Sequence, residues 1–365
     1  MRSTYYDALL QLRATGPEFG GGEANHGQIL AAALVSLNRP GEVTPWLTRY
    51  ARQLEQRPDL QGVLNRQNWK SAMGDRRRYW DWSTFLHREI SDVGWEAMLK
   101  EWAPRLIAGL SGAAAHGIIR TAAVVIQMER HVSDRTLAEL SEAIAYWAVS
   151  YYKLPGIGAP AKNPLRPQDA LAHVKWMHKG HPQPPGPVDE KLRALSGYPP
   201  FTGVLNLVRI PDNEDDAVSD IIDSAARLQL SHGSYPDTLF PYMRGIISAA
   251  AIRILLPYLK PEDRPRIVRY GWQFLGALYT VYGQVNPLDH IEPPSEDLQA
   301  LIDLAVDSGN EHAVIMADVC LRELRHKPQL SMLAATWDAV QRLSPDYEAA
   351  SNRAGDAADM ASAPV

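Results

Sequence analysis

The sequence has little cysteine and no long apolar run. Cys320 is the single cysteine among 365 residues, so an internal disulfide framework is excluded, and we expect a buried core thiol in a reducing, cytoplasmic compartment. The N-terminal residues lack the apolar region of a signal peptide. No run of about 18 apolar residues is evident, so the sequence predicts neither a membrane-spanning helix nor a membrane partner.

Strong positive charge and nucleotide-binding motifs are also missing. The formal net charge is −5, and the one compact basic cluster, at 75–78, is expected to be a solvated helix face, so no nucleic-acid partner is predicted. The sequence contains no Walker loop, no G-x-G-x-x-G and no G-x-S-x-G. It therefore carries no flavin signature and does not support a Rossmann-type nucleotide site.

Helical periodicity is present almost throughout. Apolar residues recur at intervals of three and four without convincing alternating strands, which predicts an all-α protein. We expect a single large multi-helix domain over 1–345 around a central cavity, followed by a disordered tail over 346–365. The periodic segments are 27–37, 94–110, 135–152, 216–230, 245–259, 266–282, 295–309, 311–324 and 330–343.

Two segments rich in proline, 154–168 and 179–214, interrupt the helices. Proline removes a backbone donor and fixes φ, so these segments are predicted to be connections. They could link two domains, but long ordered loops also cover active sites. We expect them to pack over the mouth of the cavity.

One helical segment, SGAAAHGIIRTAAVV over 111–125, carries polar residues where a core face is expected. At about 100° per residue, His116, Arg120, Ala123 and Gln127 fall on one stripe. An imidazole and a guanidinium on that stripe indicate either a polar cavity or a buried hydrogen-bonded network without chemistry.

Three histidines lie at the starts of predicted helices. His26 immediately precedes one helix, His116 opens the helix described above, and His312 falls in the first turn of a third. Side chains at helix starts can converge at one end of a bundle, which would form a shared site. Three unrelated histidines are the alternative.

Several of these stretches occur in a recognisable order. Asn-His-Gly at 25–27 is followed by His-Gly-Ile-Ile-Arg-Thr at 116–121 and by Asn-Glu-His at 310–312. In these motifs the chain resembles the questin oxidase-like family, which includes enzymes that oxidatively cleave an anthraquinone ring. The resemblance covers most of the chain outside its proline-rich middle.

The resemblance implies an all-helical oxygenase of secondary metabolism with mononuclear non-haem iron. Its partners would be dioxygen and a polycyclic aromatic or polyketide-type small molecule, while a need for NADPH and the oligomeric state stay open. Fe(II) would be bound by histidines and, in some members, by a carboxylated lysine. Carried over to this chain, the expected metal ligands are His26, His116 and His312. The residues expected to be catalytic are His116, Arg120 and Arg244, and those expected to bind substrate are Asn25, Thr121, His232 and Tyr242.

Three departures from the family pattern bear on the metal. Ala123, Arg244 and Ile315 stand where family members usually have polar residues. A guanidinium beside a dication is repulsive, so an inward-facing Arg244 would weaken or abolish the iron site. If Arg244 faces outward, the three histidines could still hold a metal, with His232 or Asp289 as a substitute ligand.

A second function therefore stands beside the first. In this alternative the protein is a metal-free homologue that serves as a cofactor-independent cyclase or isomerase, or as a ligand-binding protein. Arg244 would anchor an anionic substrate, and His116 would act as general acid or base. A helical scaffold without a site is the third interpretation.

Overall fold

Ten of the fifteen α-helices in the described residues form at segments where the apolar periodicity predicts them, and five, over 4–12, 43–50, 79–93, 167–170 and 188–192, were not predicted. The computed structural model describes residues 4–156, 162–177, 186–294 and 297–345. A two-residue hairpin, β1 (Glu18–Phe19) and β2 (Glu23–Ala24), is the only strand pair in these ranges, which confirms the all-α prediction. The α-helices are α1 (Thr4–Leu12), α2 (Gly27–Ser36), α3 (Val43–Tyr50), α4 (Tyr79–Val93), α5 (Trp95–Leu106), α6 (His116–Arg130), α7 (Asp134–Val149), α8 (Pro167–Ala170), α9 (Val188–Leu192), α10 (Glu214–Ser231), α11 (Leu239–Leu255), α12 (Arg264–Tyr282), α13 (Leu298–Asp307), α14 (Glu311–His326) and α15 (Leu330–Arg342).

Four of these helices form a ring at the centre of the molecule. α2 packs on α6, α6 on α11, α11 on α14, and α14 back on α2. On the outside, α7 covers α6 and α4 packs on α7, while α10, α12 and α15 cover α11 and α14. One continuous apolar core joins all these layers. The ring is the frame that positions the candidate site.

Local side-chain caps fix the starts of two ring helices. The Oδ1 atom of Asn310 accepts a hydrogen bond from the backbone N–H of His312, 2.9 Å away, and so caps α14. At α2, Oδ1 of Asn25 accepts from the N–H of Gly27 at 3.0 Å. Such bonds satisfy backbone donors that a helix leaves free at its N-terminus. They hold the residues that follow, including two histidines, in fixed positions.

The expectation that the chain has no long apolar run was wrong for one helix. The stretch 236–258, which contains α11, is long and apolar enough to cross a membrane, but 83% of its most apolar window is buried inside the fold. A helix surrounded by other helices of its own chain is accounted for as a core helix. The core position of Cys320 is confirmed as well, because its thiol is buried and burial raises its pKa to about 11.

The described parts of the two proline-rich segments contact each other. The N–H of Leu165 in the first segment donates to Leu207 O in the second at 2.8 Å, and Arg166 of the first pairs with Asp220 of α10. Gln168, at the end of the first segment, lines a cavity beside α10. The second contributes Pro187 and α9 to the wall of a cavity described below. Residues 157–161, 178–185 and the predicted tail, 346–365, lie outside the described residues.

Candidate functional site

Three histidines from three ring helices meet at one end of the ring. His26 precedes α2, His116 is the first residue of α6, and His312 is the second residue of α14. The ring centroid of His26 lies 4.8 Å from that of His116 and 4.6 Å from that of His312. Nε2 of His26 is 2.9 Å from Nε2 of His116. The structure therefore brings together the three histidines that the sequence singled out.

A left-handed turn presents His116 to this cluster. Ala113, Ala114 and Ala115 have φ angles of 46°, 48° and 70°, a conformation that costs an L-residue roughly 1–2 kcal/mol. The turn brings the Ala113 carbonyl oxygen to 2.5 Å from Nδ1 of His116. Because a carbonyl only accepts, Nδ1 carries the proton and Nε2 keeps its lone pair for the centre of the cluster.

A guanidinium completes the cluster. Arg244, from the second turn of α11, donates a hydrogen bond from Nη1 to Nε2 of His116. No carboxylate forms a salt bridge with Arg244 among the described residues, and its Nε is buried without a partner. Burial lowers the pKa of Arg244 to about 10, against the opposing effect of Tyr146, Glu23 and Asp189. The arginine thus stays cationic and incompletely paired.

All three imidazoles are neutral at physiological pH. Burial and then the charge of Arg244 lower the pKa of His26 to about 3. Burial also lowers the pKa of His116 and of His312, with Arg244 contributing to both. A neutral imidazole is the form that ligates a metal ion, and it cannot serve as a cationic acid.

Sequence reasoning missed one member of the cluster, Glu311. Its carboxylate, His26 and His312 each offer a ligand atom within 4.8 Å of the other two. Burial raises the pKa of Glu311, and Arg244 opposes that shift. Its only sequence signal was its place directly before His312, and an acidic residue in the first turn of a helix is common without any chemistry.

The donor set fits a divalent metal at His26, Glu311 and His312. Nε2 of His312 is buried with no hydrogen-bond partner among the described residues, so a lone pair or a proton there is unsatisfied. Two imidazoles and a carboxylate are the ligands that non-haem Fe(II) sites use. His116 fits less well, because Arg244 already occupies its Nε2 lone pair.

A cavity of about 280 Å³ opens beside the cluster. His116, Arg244 and His312 form its inner wall, and Phe240 packs edge-on against His312 with ring centroids 4.8 Å apart. Pro187 and other residues of the second proline-rich segment form part of the opposite wall. The carboxylates of Glu23 and Asp189 also line the cavity. Apolar surface combined with converging polar groups is typical of small-molecule sites.

Ion pairs hold the outer wall of this cavity in place. Arg76 lies 3.1 Å from Glu18 of β1 and 3.3 Å from Asp189 of α9, joining two segments that line the cavity. The hydroxyl of Tyr146 donates to Glu18 at 3.0 Å. Arg76 belongs to the cluster 75–78, so the expectation that this whole cluster is a solvated face was wrong for Arg76.

Arg120 does not join the site, which corrects its assignment as a catalytic residue. Its guanidinium is buried between α6 and α7, where Nε and Nη2 donate to the two carboxylate oxygens of Glu139 at 2.6 and 2.9 Å. Glu142 and the hydroxyl of Tyr79 lie at 3.4 Å. The guanidinium of Arg120 is therefore paired with carboxylates inside the core. Of the two interpretations of the 111–125 helix, the buried hydrogen-bonded network applies to Arg120 and the polar cavity applies to His116.

Asn25 and Thr121 have structural bonds in place of the predicted contact with substrate. The Nδ2 amide of Asn25 donates to Gly16 O at 2.9 Å and to Thr15 Oγ1 at 3.1 Å. The hydroxyl of Thr121 donates to Gly117 O at 2.8 Å and is fully buried. Both side chains organise backbone close to the histidines without reaching the cavity wall.

His232 and Tyr242 form a separate buried pair, with ring centroids 4.9 Å apart. Nδ1 of His232 is 2.7 Å from Leu228 O, and its Nε2 accepts from the N–H of Gln284 at 3.0 Å. Both nitrogens are therefore occupied, and neither residue lines the 280 Å³ cavity. Asp289 lines another cavity, beside α10. His232 and Tyr242, predicted to bind substrate, and His232 and Asp289, predicted as substitute ligands, thus lie away from the 280 Å³ cavity.

Two of the departures from the family pattern lie inside the ring. Ala123, two turns after His116, and Ile315, one turn after His312, line a narrow space between the four ring helices. The third, Arg244, points into the histidine cluster. Apolar side chains thus fill the interior of the ring below the histidine cluster. The side chains that could still bind a metal, those of His26, Glu311 and His312, lie at the end of the ring where the helices begin.

The site and the fold together define an all-α protein with a histidine-rich centre at one end of a helical ring. A family model described as questin oxidase-like matches residues 42–319. The match covers more than half of the chain, which therefore belongs to the questin oxidase-like family. It includes His116, Arg244, Glu311 and His312, whereas His26 lies before it. No curated protein matches the chain. Membership of this family indicates an oxidoreductase of the oxygenase type.

Proposed function

We propose that the protein is a non-haem iron oxygenase in which His26, Glu311 and His312 hold Fe(II). The observation that carries this proposal is the approach of their three ligand atoms to within 4.8 Å of one another, beside a cavity. Two histidines and one carboxylate on one face of an iron leave coordination positions open. When bound, the iron supplies the redox chemistry through which dioxygen reacts.

The proposed substrate is an anionic polycyclic aromatic or polyketide-type molecule. Arg244 faces the cavity with a charge that no carboxylate of the described residues neutralises through a salt bridge. The helices α2, α6 and α14 also begin at the cluster, and the dipole of each helix favours negative charge at its N-terminus. Phe240 and Pro187 offer flat apolar surface to a ring system. A phenolate or carboxylate oxygen would therefore bind to Arg244.

His116 acts as a positioning residue in this proposal. Its Nε2 accepts the hydrogen bond from Arg244 while Nδ1 is bound to the strained turn. The guanidinium is thereby fixed at the wall between the metal ligands and the cavity. Since the pKa of His116 is lowered, it adds no second cation that would compete with the metal.

Metal content tests the proposal. Protein purified without chelator and reconstituted anaerobically with Fe(II) should contain about one iron per chain. His312→Ala and Glu311→Gln should lose most of that iron, while His87→Ala, which removes an exposed histidine of α4, should keep it. Circular dichroism melting confirms that each variant is folded. Equal iron in wild type and both cluster variants would exclude this site.

One observation favours a second candidate function. The hydrogen bond from Arg244 to His116 needs no metal, and it leaves a cation facing the 280 Å³ cavity. A metal-free cyclase, isomerase or binding protein would use the same cavity. If the chain binds no iron but still binds an anthraquinone carboxylate in the presence of a chelator, this candidate replaces the oxygenase.

A further inference from the structure

A narrow apolar passage runs along the axis of the four-helix ring, below the histidine cluster. The residues three positions after His26, His116, Arg244 and His312 all line it, and all are isoleucine. These are Ile29, Ile119, Ile247 and Ile315. A shared spacing on four helices means that the helices run parallel, with their N-termini at the cluster. Each isoleucine keeps 4 to 7% of its surface accessible from the passage.

The next layer is built from small side chains. Seven positions after the cluster residues stand Ala33, Ala123, Ala251 and Val319, which also line the passage. Three of the four are alanine, and the passage as a whole encloses an open volume of about 20 Å³. That volume holds about one molecule of the size of water.

The passage reaches the surface at its far end. Ten positions after the cluster residues come Ser36, Ile126, Ile254 and Arg322, which line it and are all partly exposed. Ten residues of α-helix span about 15 Å. The passage therefore leads from solvent, through the alanine and valine layer, to the isoleucine layer, which lies one helical turn below the cluster.

Size and chemistry select what can use this passage. The isoleucine and alanine layers offer no hydrogen bonds, and the two charged residues that also line the passage, Asp318 and Arg322, pair with each other. The apolar layers therefore do not retain ordered water. The passage is too narrow for a ring system. A small apolar molecule remains, and a substrate that fills the larger cavity would close the other side of the cluster. We propose that the passage admits dioxygen to the histidine cluster from the far end of the ring.

This inference rests on the proposed oxygenase function, but it can be tested without metal or turnover. Dissolved dioxygen is paramagnetic and speeds the relaxation of nearby methyl groups in nuclear magnetic resonance. In metal-free protein labelled at isoleucine methyls, Ile119 and Ile247 should show several-fold greater enhancement under oxygen pressure than Ile144. Ile144 is fully buried in α7 and does not line the passage.

Two substitutions narrow the passage from different helices. Ala123→Val and Ala251→Val should each reduce the enhancement at the isoleucine layer, whereas Ala97→Val, on the exposed side of α5, should not. Two positions are used because either added side chain could by itself disturb packing. Enhancement at Ile119 and Ile247 no greater than at Ile144, or unchanged in both folded variants, would overturn the proposal. Failure to bind iron would instead overturn the oxygenase function and leave this measurement unaffected.

Discussion

Arg244 donates a hydrogen bond to Nε2 of His116, the atom that lies 2.9 Å from Nε2 of His26. One imidazole nitrogen cannot accept from a guanidinium and ligate a metal with the same lone pair. Arg244 therefore removes His116 from the set of available ligands, and Glu311 supplies the third donor beside His26 and His312. The inward orientation of Arg244 does not abolish the candidate metal site but shifts it toward α14.

Replacing Arg244 should have opposite effects on two ligands. Arg244→Ala removes a cation near the metal ligands, so we expect Mn(II), used as a redox-stable probe, to bind about tenfold or more tightly. The same variant should bind an anthraquinone carboxylate about 10- to 100-fold more weakly, because a charge-assisted hydrogen bond is worth roughly 1.5–3 kcal/mol. Isothermal titration calorimetry measures both affinities.

A neutral ligand and a surface variant control this experiment. Uncharged anthraquinone should bind Arg244→Ala and wild type alike, and Arg193→Ala, at an exposed arginine, should change neither affinity. If Arg244→Ala leaves both affinities as they were, the arginine has no role at the site.

Arg120 should affect stability rather than ligand binding. Arg120→Met keeps the approximate length of the side chain but leaves the buried carboxylate of Glu139 without its cation and leaves Glu142 paired with Arg135 alone. Breaking such a buried pair typically costs about 3–5 kcal/mol. We expect urea denaturation to show that loss, while folded Arg120→Met binds the anthraquinone carboxylate with wild-type affinity. A loss of affinity with unchanged stability would restore the prediction that Arg120 acts on the substrate.

The features that the sequence predicts best are those that repeat along it. Periodicity at three and four residues places the helices, and the positions of His26, His116 and His312 at helix starts predict their convergence. The helical stripe that Arg120 shares with His116 left open whether Arg120 faces a cavity or a buried network. The two carboxylate partners of Arg120 lie on another helix, 19 and 22 residues along the chain, and pairing between helices is not visible in one sequence.

Glu311 and Arg244 show a second limit. A glutamate in the first turn of a helix has an ordinary explanation in the helix dipole. That the carboxylate of Glu311 lies beside the histidines depends on the packing of α14 against α2, which the sequence does not show. The sequence left the orientation of Arg244 open, since both orientations suit an arginine near a helix start. The packing of α11 between α6 and α14 selects the inward one.

Glu142 should make folding stability depend on pH. Burial and the neighbouring Glu139 raise the pKa of Glu142 in the folded protein above its usual value of 4.5. Above pH 4.5 the unfolded chain releases this proton while the folded chain retains it, so stability falls as pH rises toward the folded pKa, by at most about 1.4 kcal/mol per pH unit. Glu142→Gln should reduce this fall between pH 5 and 8, measured by urea denaturation.

The matched control is Glu96→Gln, which removes an exposed carboxylate of α5 and should keep the wild-type pH dependence. Should Glu142→Gln and wild type lose the same free energy of unfolding between pH 5 and 8, Glu142 is ionised in the folded protein throughout that range.

Glycine substitution in the left-handed turn before His116 should raise the free energy of unfolding, whereas the same substitution in a regular helix should lower it. At Ala113, with φ of 46°, glycine relieves a strain of roughly 1–2 kcal/mol and costs about 0.4–1 kcal/mol through the entropy of the unfolded chain. Ala113→Gly should therefore raise the free energy of unfolding by up to about 1 kcal/mol. Ala143→Gly, which removes a methyl group that is buried like that of Ala113 but in the middle of α7, should lower it by about 1 kcal/mol. Urea denaturation of both variants checks the signs, and destabilisation of similar size at both positions would show that Ala113 does not adopt the left-handed conformation that presents His116.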